Sequence, residues 1–197
     1  MKWKLLKSEP RYRGFLNIDL CHLRHQTYDG REIEVQRELM HRGDAVAVLL
    51  YDPSKDRLVL IEQFRAGAIE DENGPWLLEI VAGMVEADES VTDVAKRECR
   101  EEAGIDVHSF ETVCSFYPSP GGSSEKIHVL CALVDSDKAM GIHGLADENE
   151  DIKVVVADFE DCHELLASGK VSSATPIIAL QWLQLNRERL RMESFVL

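Results

Sequence analysis

Residues 83–105, GMVEADESVTDVAKRECREEAGI, put two glutamates on the side of a helix that the same helix reserves for the core. Ser90 stands as an N-cap, with Asp93 three residues on as a weak capping box, and Gly104 as the C-terminal stop. The helix is expected over roughly Val91–Ala103. At about 100° per residue, Val91, Val94, Ala95, Cys99 and Ala103 share one apolar side. Glu98 and Glu102 fall inside that side, one turn apart. Glu101 flanks it, while Lys96 and Arg100 point away. A solvated charged face would set these glutamates opposite the apolar stripe. Carboxylates facing a core are costly to bury unless paired or bound to a cation. The arrangement therefore implies a hard-cation site built from oxygen ligands, with Mg²⁺ the default ion. Arg97 is better placed to orient the glutamates than to bind a substrate, and Glu89 is its expected partner.

The spacing obeys G-x5-E-x7-R-E-U-x-E-E-x-G-U, with U a bulky apolar residue. The matches are Gly83, Glu89, Arg97, Glu98, Glu101, Glu102, Gly104 and Ile105. Cys99 takes a position where an aliphatic residue is usual, a mild departure because cysteine packs as a small hydrophobe. The stretch resembles the Nudix box, the signature of metal-dependent hydrolases of nucleoside diphosphates linked to another moiety. The resemblance implies an α+β Nudix fold, a mixed β-sheet sandwiched between helices. It also implies a metal site on Glu98, Glu101 and Glu102, joined by the backbone carbonyl of Ala82. Met84 comes to the site by following Gly83.

The net charge of −14 argues against general nucleic-acid binding. An anionic substrate must then be drawn in locally, by cations and a few arginines. The five cysteines (21, 99, 114, 131 and 162) form no CxxC pair, and their odd count favours a reduced, cytoplasmic protein. The stretch MKWKLLKSEPRYRG lacks a signal-peptide apolar core, and no apolar run is long enough to span a membrane.

Residues 13–40 read as a hairpin about Tyr28-Asp29-Gly30, since Asp-Gly is a strong tight-turn signal. A second hairpin joins DAVAVLLYD to RLVLIEQFR through residues 53–56. WLLEIVAG (76–83), TVCSFYPSPG, KIHVLCALVD and IKVVVADF (152–159) read as further strands. A helix is expected over about 160–168, stopping at Gly169, and another from near Pro176, a good first helical residue. Residues 1–45 are expected to form a small N-terminal β subdomain, and residues 46–197 the hydrolase domain.

Two further features resemble the bacterial ADP-ribose pyrophosphatase branch of that family. Pro120 lies sixteen residues beyond Gly104, inside FYPSPGGSSE. A plain Pro-Gly turn explains the same residues, and both can hold, because a rigid loop can shape a pocket. The acidic loop GLADENEDI, 144–152, precedes a strand. It is either a solvated loop or the loop that supplies a general base. The resemblance makes Glu148 the base and Glu150 a further metal ligand, with Asp147 and Asp151 as alternates. It also places Arg37 and Arg65 at the phosphate and ribose, a role that suits guanidinium groups. The alternative for each is a surface salt bridge. Both are expected at strand ends. Glu38, Ser119 and Glu125 are candidates for sugar hydroxyls. Phe15 can stack on adenine, although core packing is its first reading.

These readings converge on Mg²⁺-dependent hydrolysis of ADP-ribose to AMP and ribose 5-phosphate. About two or three ions are expected, with Mn²⁺ able to substitute, because one cation poorly offsets a diphosphate and an incoming hydroxide. The rivals are another Nudix substrate, such as GDP-mannose or NADH, and a non-catalytic nucleotide sensor. The N-terminal subdomain resembles the part this branch uses to form a homodimer by strand exchange. No membrane partner is expected.

Overall fold

Strands β4 (Asp44–Asp52) and β5 (Arg57–Phe64) carry the longest unbroken apolar runs, and β4 is buried from Ala45 to Asp52. Such a run needs cover on both faces, which makes these two strands the middle of a sheet. They are the centre of an eight-stranded sheet in the computed structural model, which describes residues 1–194. The other strands are β6 (Trp76–Glu79), β7 (Val81–Met84), β8 (Glu111–Phe116), β9 (Lys126–Leu133), β10 (Ile142–His143) and β11 (Ile152–Asp158). The order is β10-β11-β5-β4-β9-β8, with β6 pairing β5 and β7 pairing β4. Among the described residues three α-helices complete the α+β arrangement: α1 (Val91–Ala103), α2 (Cys162–Ala167) and α3 (Ala174–Ser194).

A separate three-stranded sheet joins β1 (Trp3–Arg13), β2 (Asn17–Gln26) and β3 (Glu32–His41) in that order, all antiparallel. By contact density the chain divides into two compact units. One holds Met1–Asp44 with Phe116–Lys126; the other holds Ala45–Ser115 with the chain from Ile127 onward.

The core of the second unit lies between α1 and the sheet. Val46, Val48 and Leu50 of β4 meet Val59 and Ile61 of β5, Val94, Ala95, Cys99 and Ala103 of α1, and Ile152 of β11. Asp52, only 1% exposed, closes the end of β4. Its carboxylate accepts from the backbone N–H groups of Ser54, Lys55 and Ser136 and from both serine hydroxyls, which holds its pKa well below the usual range. Asp56, in the β4–β5 turn, accepts from Tyr51 and from Arg187 of α3, so the turn is tied to that helix.

Several local expectations are corrected. The first hairpin pairs 17–26 with 32–41, but β1, not foreseen, adds a third strand along β2. WLLEIVAG is broken at Ile80 into β6 on β5 and β7 on β4, so the segment crosses from one partner strand to the other. The helix at 160–168 is a 3-10 turn, Phe159–Asp161, followed by the short α2. The last helix begins at Ala174, two residues before Pro176.

Candidate functional site

The box builds its own support. Ser90 Oγ accepts from the Asp93 N–H at 3.1 Å and donates to the Asp93 carboxylate at 2.7 Å. Asp93 is too short to complete the reciprocal capping bond to the Ser90 N–H and takes the hydroxyl instead. At the other end Gly104 has φ 67°, a conformation glycine adopts freely. That turn lets the N–H groups of Gly104 and Ile105 reach back to the carbonyls of Arg100 and Cys99, at 3.1 and 3.0 Å.

Between these caps Glu98 and Glu102 are buried with Val94, Ala95, Cys99 and Ala103, at 8% and 3% exposure. Burial pushes Glu98 up to about 7 and Glu102 up to about 8. Arg97 pulls Glu98 down, while the Ala82 N–H, at 2.9 Å from Glu102 Oε2, pulls Glu102 down. Neighbouring carboxylates raise both further: Glu98 and Glu150 raise Glu102, and Glu101 and Glu150 raise Glu98. Arg97 donates to Glu98 at 2.7 Å, to Glu101 at 3.1 Å and to Glu89 at 3.4 Å. It is the hub of the box, and the Arg97–Glu89 contact foreseen from the sequence is present.

Gly83 has a packing reason rather than a turn reason. The Glu98 carboxylate rests on its Cα, and a Cβ there would overlap that carboxylate. Ala82, Gly83 and Met84 lie on β7, paired with Ala47, Val46 and Ala45.

The acidic loop is pinched at its base. The Gly144 N–H donates to the Glu101 carbonyl at 3.2 Å, and Leu145 and Glu150 bond to one another through the backbone and through Glu150 Oε2. Glu150 is half-buried, and its charge is felt by both box glutamates. Glu148, Asp147 and Asp151 are exposed; Glu148 closes the 3-10 turn Ala146–Glu148. The loop therefore sets Glu150 towards the box and leaves Glu148 in solvent.

Arg65 follows β5 as expected and donates through Nε to Glu79 Oε2 at 2.7 Å. Glu79 also accepts from Ser173 Oγ at 2.8 Å. Neither Glu79 nor Ser173 is suggested by any motif. They meet across a separation of 94 residues, and no local pattern carries that information.

The remaining expected contacts belong to the first unit. Arg37 is not at a strand end but in the middle of β3, where it donates to the Gln36 carbonyl at 2.7 Å. Glu38 follows it and so faces the opposite side of the sheet. Ser119 and Pro120 are exposed in a loop whose Gly122 and Ser124 bond to Met40. Glu125 pairs with Arg42 at 2.8 Å. Phe15 is 94% exposed, which overturns the core reading: it sits in the tight turn between β1 and β2, where no layer covers it.

The donor set fits a hard divalent cation. Of the two buried carboxylates, Glu98 has Arg97 and Glu102 has the Ala82 N–H, and burial alone would protonate both near neutral pH; a cation would stabilise their charged form instead. Among the described residues, no three His, Cys, Asp or Glu side chains already converge as a complete shell. Arg97 takes up oxygens of Glu98 and Glu101 in this arrangement.

A family model described as the NUDIX domain matches residues 41–181. The chain belongs to the Nudix family. An ADP-ribose pyrophosphatase of Escherichia coli strain K12 is 48% identical over 191 residues, covering 96% of this chain and 91% of that protein. A GDP-mannose pyrophosphatase of Cronobacter sakazakii is 37% identical over 169 residues, covering 83% of this chain and 87% of its own length. A solved structure described as an ADP compounds hydrolase superposes with a TM-score of 0.72 at 21% identity, covering 97% of both chains, and shows the Nudix fold. Nudix hydrolases generally use divalent metal ions.

Among the described residues no helix is long and apolar enough to cross a membrane.

Proposed function

We propose that this Nudix hydrolase cleaves the diphosphate of ADP-ribose, giving AMP and ribose 5-phosphate, with Mg²⁺ as its ion and Mn²⁺ able to replace it. The observation that carries the reading is the pair Glu98 and Glu102. They are buried a turn apart, with their charge only partly met by Arg97 and the Ala82 N–H. The substrate class rests on the 48% identical relative, which is an ADP-ribose pyrophosphatase.

Glu98, Glu101, Glu102, Glu150 and the Ala82 carbonyl would hold the ions. Bound there, divalent cations neutralise diphosphate charge and polarise the bond that breaks. The chain's own groups do the rest. Arg97 keeps the glutamates spaced and charged. Glu148, exposed on its loop, takes the proton of the attacking water as the loop comes over the substrate. Arg65 holds phosphate and ribose oxygens, and the same role is proposed for Arg37. Glu38, Ser119, Pro120 and Glu125 shape the ribose end, Met84 lies beside the ions, and Phe15 is free to stack on adenine.

We also propose a homodimer, with residues 1–45 as the subdomain that exchanges strands and 46–197 as the hydrolase domain. The support is the apolar surface of the three-stranded sheet, where Trp3, Leu5, Tyr12 and Ile33 are exposed. Exposed large apolar side chains of this kind suit burial against a partner surface. A cytoplasmic setting is supported by five cysteines that are all free thiols. The net charge of −14 supports a small-molecule substrate rather than nucleic acid.

The competing reading is a nucleotide sugar, favoured by the GDP-mannose pyrophosphatase relative. A rate panel in Mg²⁺ separates the two. ADP-ribose should exceed GDP-mannose and NADH in kcat/KM by at least about tenfold, or about 1.4 kcal/mol of transition-state discrimination. A better rate on either competitor overturns the substrate and leaves the family membership standing.

A further inference from the structure

Glu79 ends β6, opposite Ile61 of β5, and its side chain is 13% exposed. Both of its oxygens are committed. Oε2 accepts from Arg65 Nε at 2.7 Å, and Oε1 accepts from Ser173 Oγ at 2.8 Å. Ser173 directly precedes α3, and its carbonyl accepts from the Ile177 N–H at 3.4 Å. The carboxylate is therefore held between the residue after β5 and the start of the last helix.

A guanidinium carries five N–H donors in a rigid fork. Arginine–carboxylate pairs frequently form two parallel bonds. Arg65 makes one, through Nε, because the second Glu79 oxygen belongs to Ser173. Among the described residues neither Nη of Arg65 donates to a protein group, and the side chain is 43% exposed. Its charge is nevertheless felt by buried Glu102. The unused edge of the fork thus lies open, within electrostatic reach of the box glutamates.

We infer that Glu79 and Ser173 form a mount that aims the Nη edge of Arg65 at the diphosphate. Glu79 is then a positioning residue, acting through Arg65 without touching the substrate. Arginine is a long, flexible side chain, and ordering it on binding costs affinity. A mount imposes that order during folding, so the cost is not met again at each turnover. The inference rests on the proposed role of Arg65 as a phosphate contact.

A double-mutant cycle tests it, because residues that act as one unit are not additive. Steady-state hydrolysis of ADP-ribose in Mg²⁺ is measured for wild type, Arg65→Ala, Glu79→Ala, Ser173→Ala and the doubles that include Arg65→Ala. Arg65→Ala should lower kcat/KM about tenfold or more, the size of one hydrogen bond to a charged group. Glu79→Ala should lower it about three- to tenfold, chiefly through KM, and Ser173→Ala should follow in the same direction by less. In the Arg65→Ala background both second substitutions should change kcat/KM by less than about twofold. Thermal melting checks that each variant is folded. If Glu79→Ala is not, the Ser173→Ala cycle carries the test. Effects that multiply in the double variants overturn the mount, as does an unimpaired Glu79→Ala beside an impaired Arg65→Ala. An unimpaired Arg65→Ala removes the phosphate-contact reading and the mount together.

Discussion

Glu102→Gln should make the protein more stable at pH 8 in the absence of divalent cations, while abolishing most of its activity. Glu102 is 3% exposed, and its pKa in the folded state is about 8 against an ordinary 4.5. Between those values the folded chain keeps a proton that the unfolded chain has released. Stability therefore falls as pH rises through this window, by about 1.36 kcal/mol per pH unit for each such proton. One group costs about 2–3 kcal/mol between pH 5 and pH 7. Glu98, raised to about 7, acts in the same direction, with Arg97 offsetting part of it. Glutamine has no proton to lose and still offers an oxygen to the Ala82 N–H. Its amide NH₂ forfeits about 1–3 kcal/mol if it stays unpaired. The net gain at pH 8 should be about 1–3 kcal/mol, and a chain of this size melts about 2–4 °C higher per kcal/mol. Thermal melts in EDTA from pH 5 to 8 measure it. Wild type should lose melting temperature as pH rises, and Glu102→Gln should lose less. Adding Mg²⁺ at pH 8 should raise the wild-type melting temperature and leave the variant nearly unmoved. A flat wild-type profile in EDTA, with the variant less stable at pH 8, refutes the reasoning.

Gly83→Ala should drive the Glu98 carboxylate off its seat and cost about 1–3 kcal/mol of stability, as overpacking does; a melt and a Mg²⁺ titration of activity both read it. Glu148→Gln should lower kcat by about 10²–10⁴ with analogue binding intact, as loss of a general base does. More than about a tenth of wild-type kcat would move the base to Asp147 or Asp151. Glu150→Gln should instead shift activity to higher Mg²⁺ concentration, which a plot of kcat against Mg²⁺ distinguishes. Light scattering at micromolar concentration should give twice 22.3 kDa; a monomer mass with full activity rules out the dimer.

The box helix was legible because every signal for it is local. Ser90 and Gly104 mark its ends, and the 3.6-residue period alone puts Glu98 and Glu102 among Val94, Cys99 and Ala103. The β4–β5 hairpin was legible for the same reason, two apolar runs about a short polar turn. β1 was not, because WKLLKSEPRYR buries neither face. Glu9 is its single half-buried residue, and Pro10 is tolerated beside a bulge on an edge strand. The break at Ile80 was hidden, since the chain leaves one strand for another with no Gly, Pro or other turn residue at the crossing. Glu79 was hidden for a different reason: a lone glutamate in WLLE has no periodic meaning until the fold brings Arg65 and Ser173 to it. Phe15 misled because an aromatic residue reads as core unless the tightness of its turn is known.

The most direct measurement is hydrolysis of ADP-ribose in ¹⁸O-labelled water, with the product masses read in the presence and absence of Mg²⁺. AMP and ribose 5-phosphate should form only with the divalent cation, and one of the two should carry the label on its phosphate. No turnover in Mg²⁺, or the same turnover in EDTA, would contradict a metal-dependent ADP-ribose pyrophosphatase built on Glu98 and Glu102.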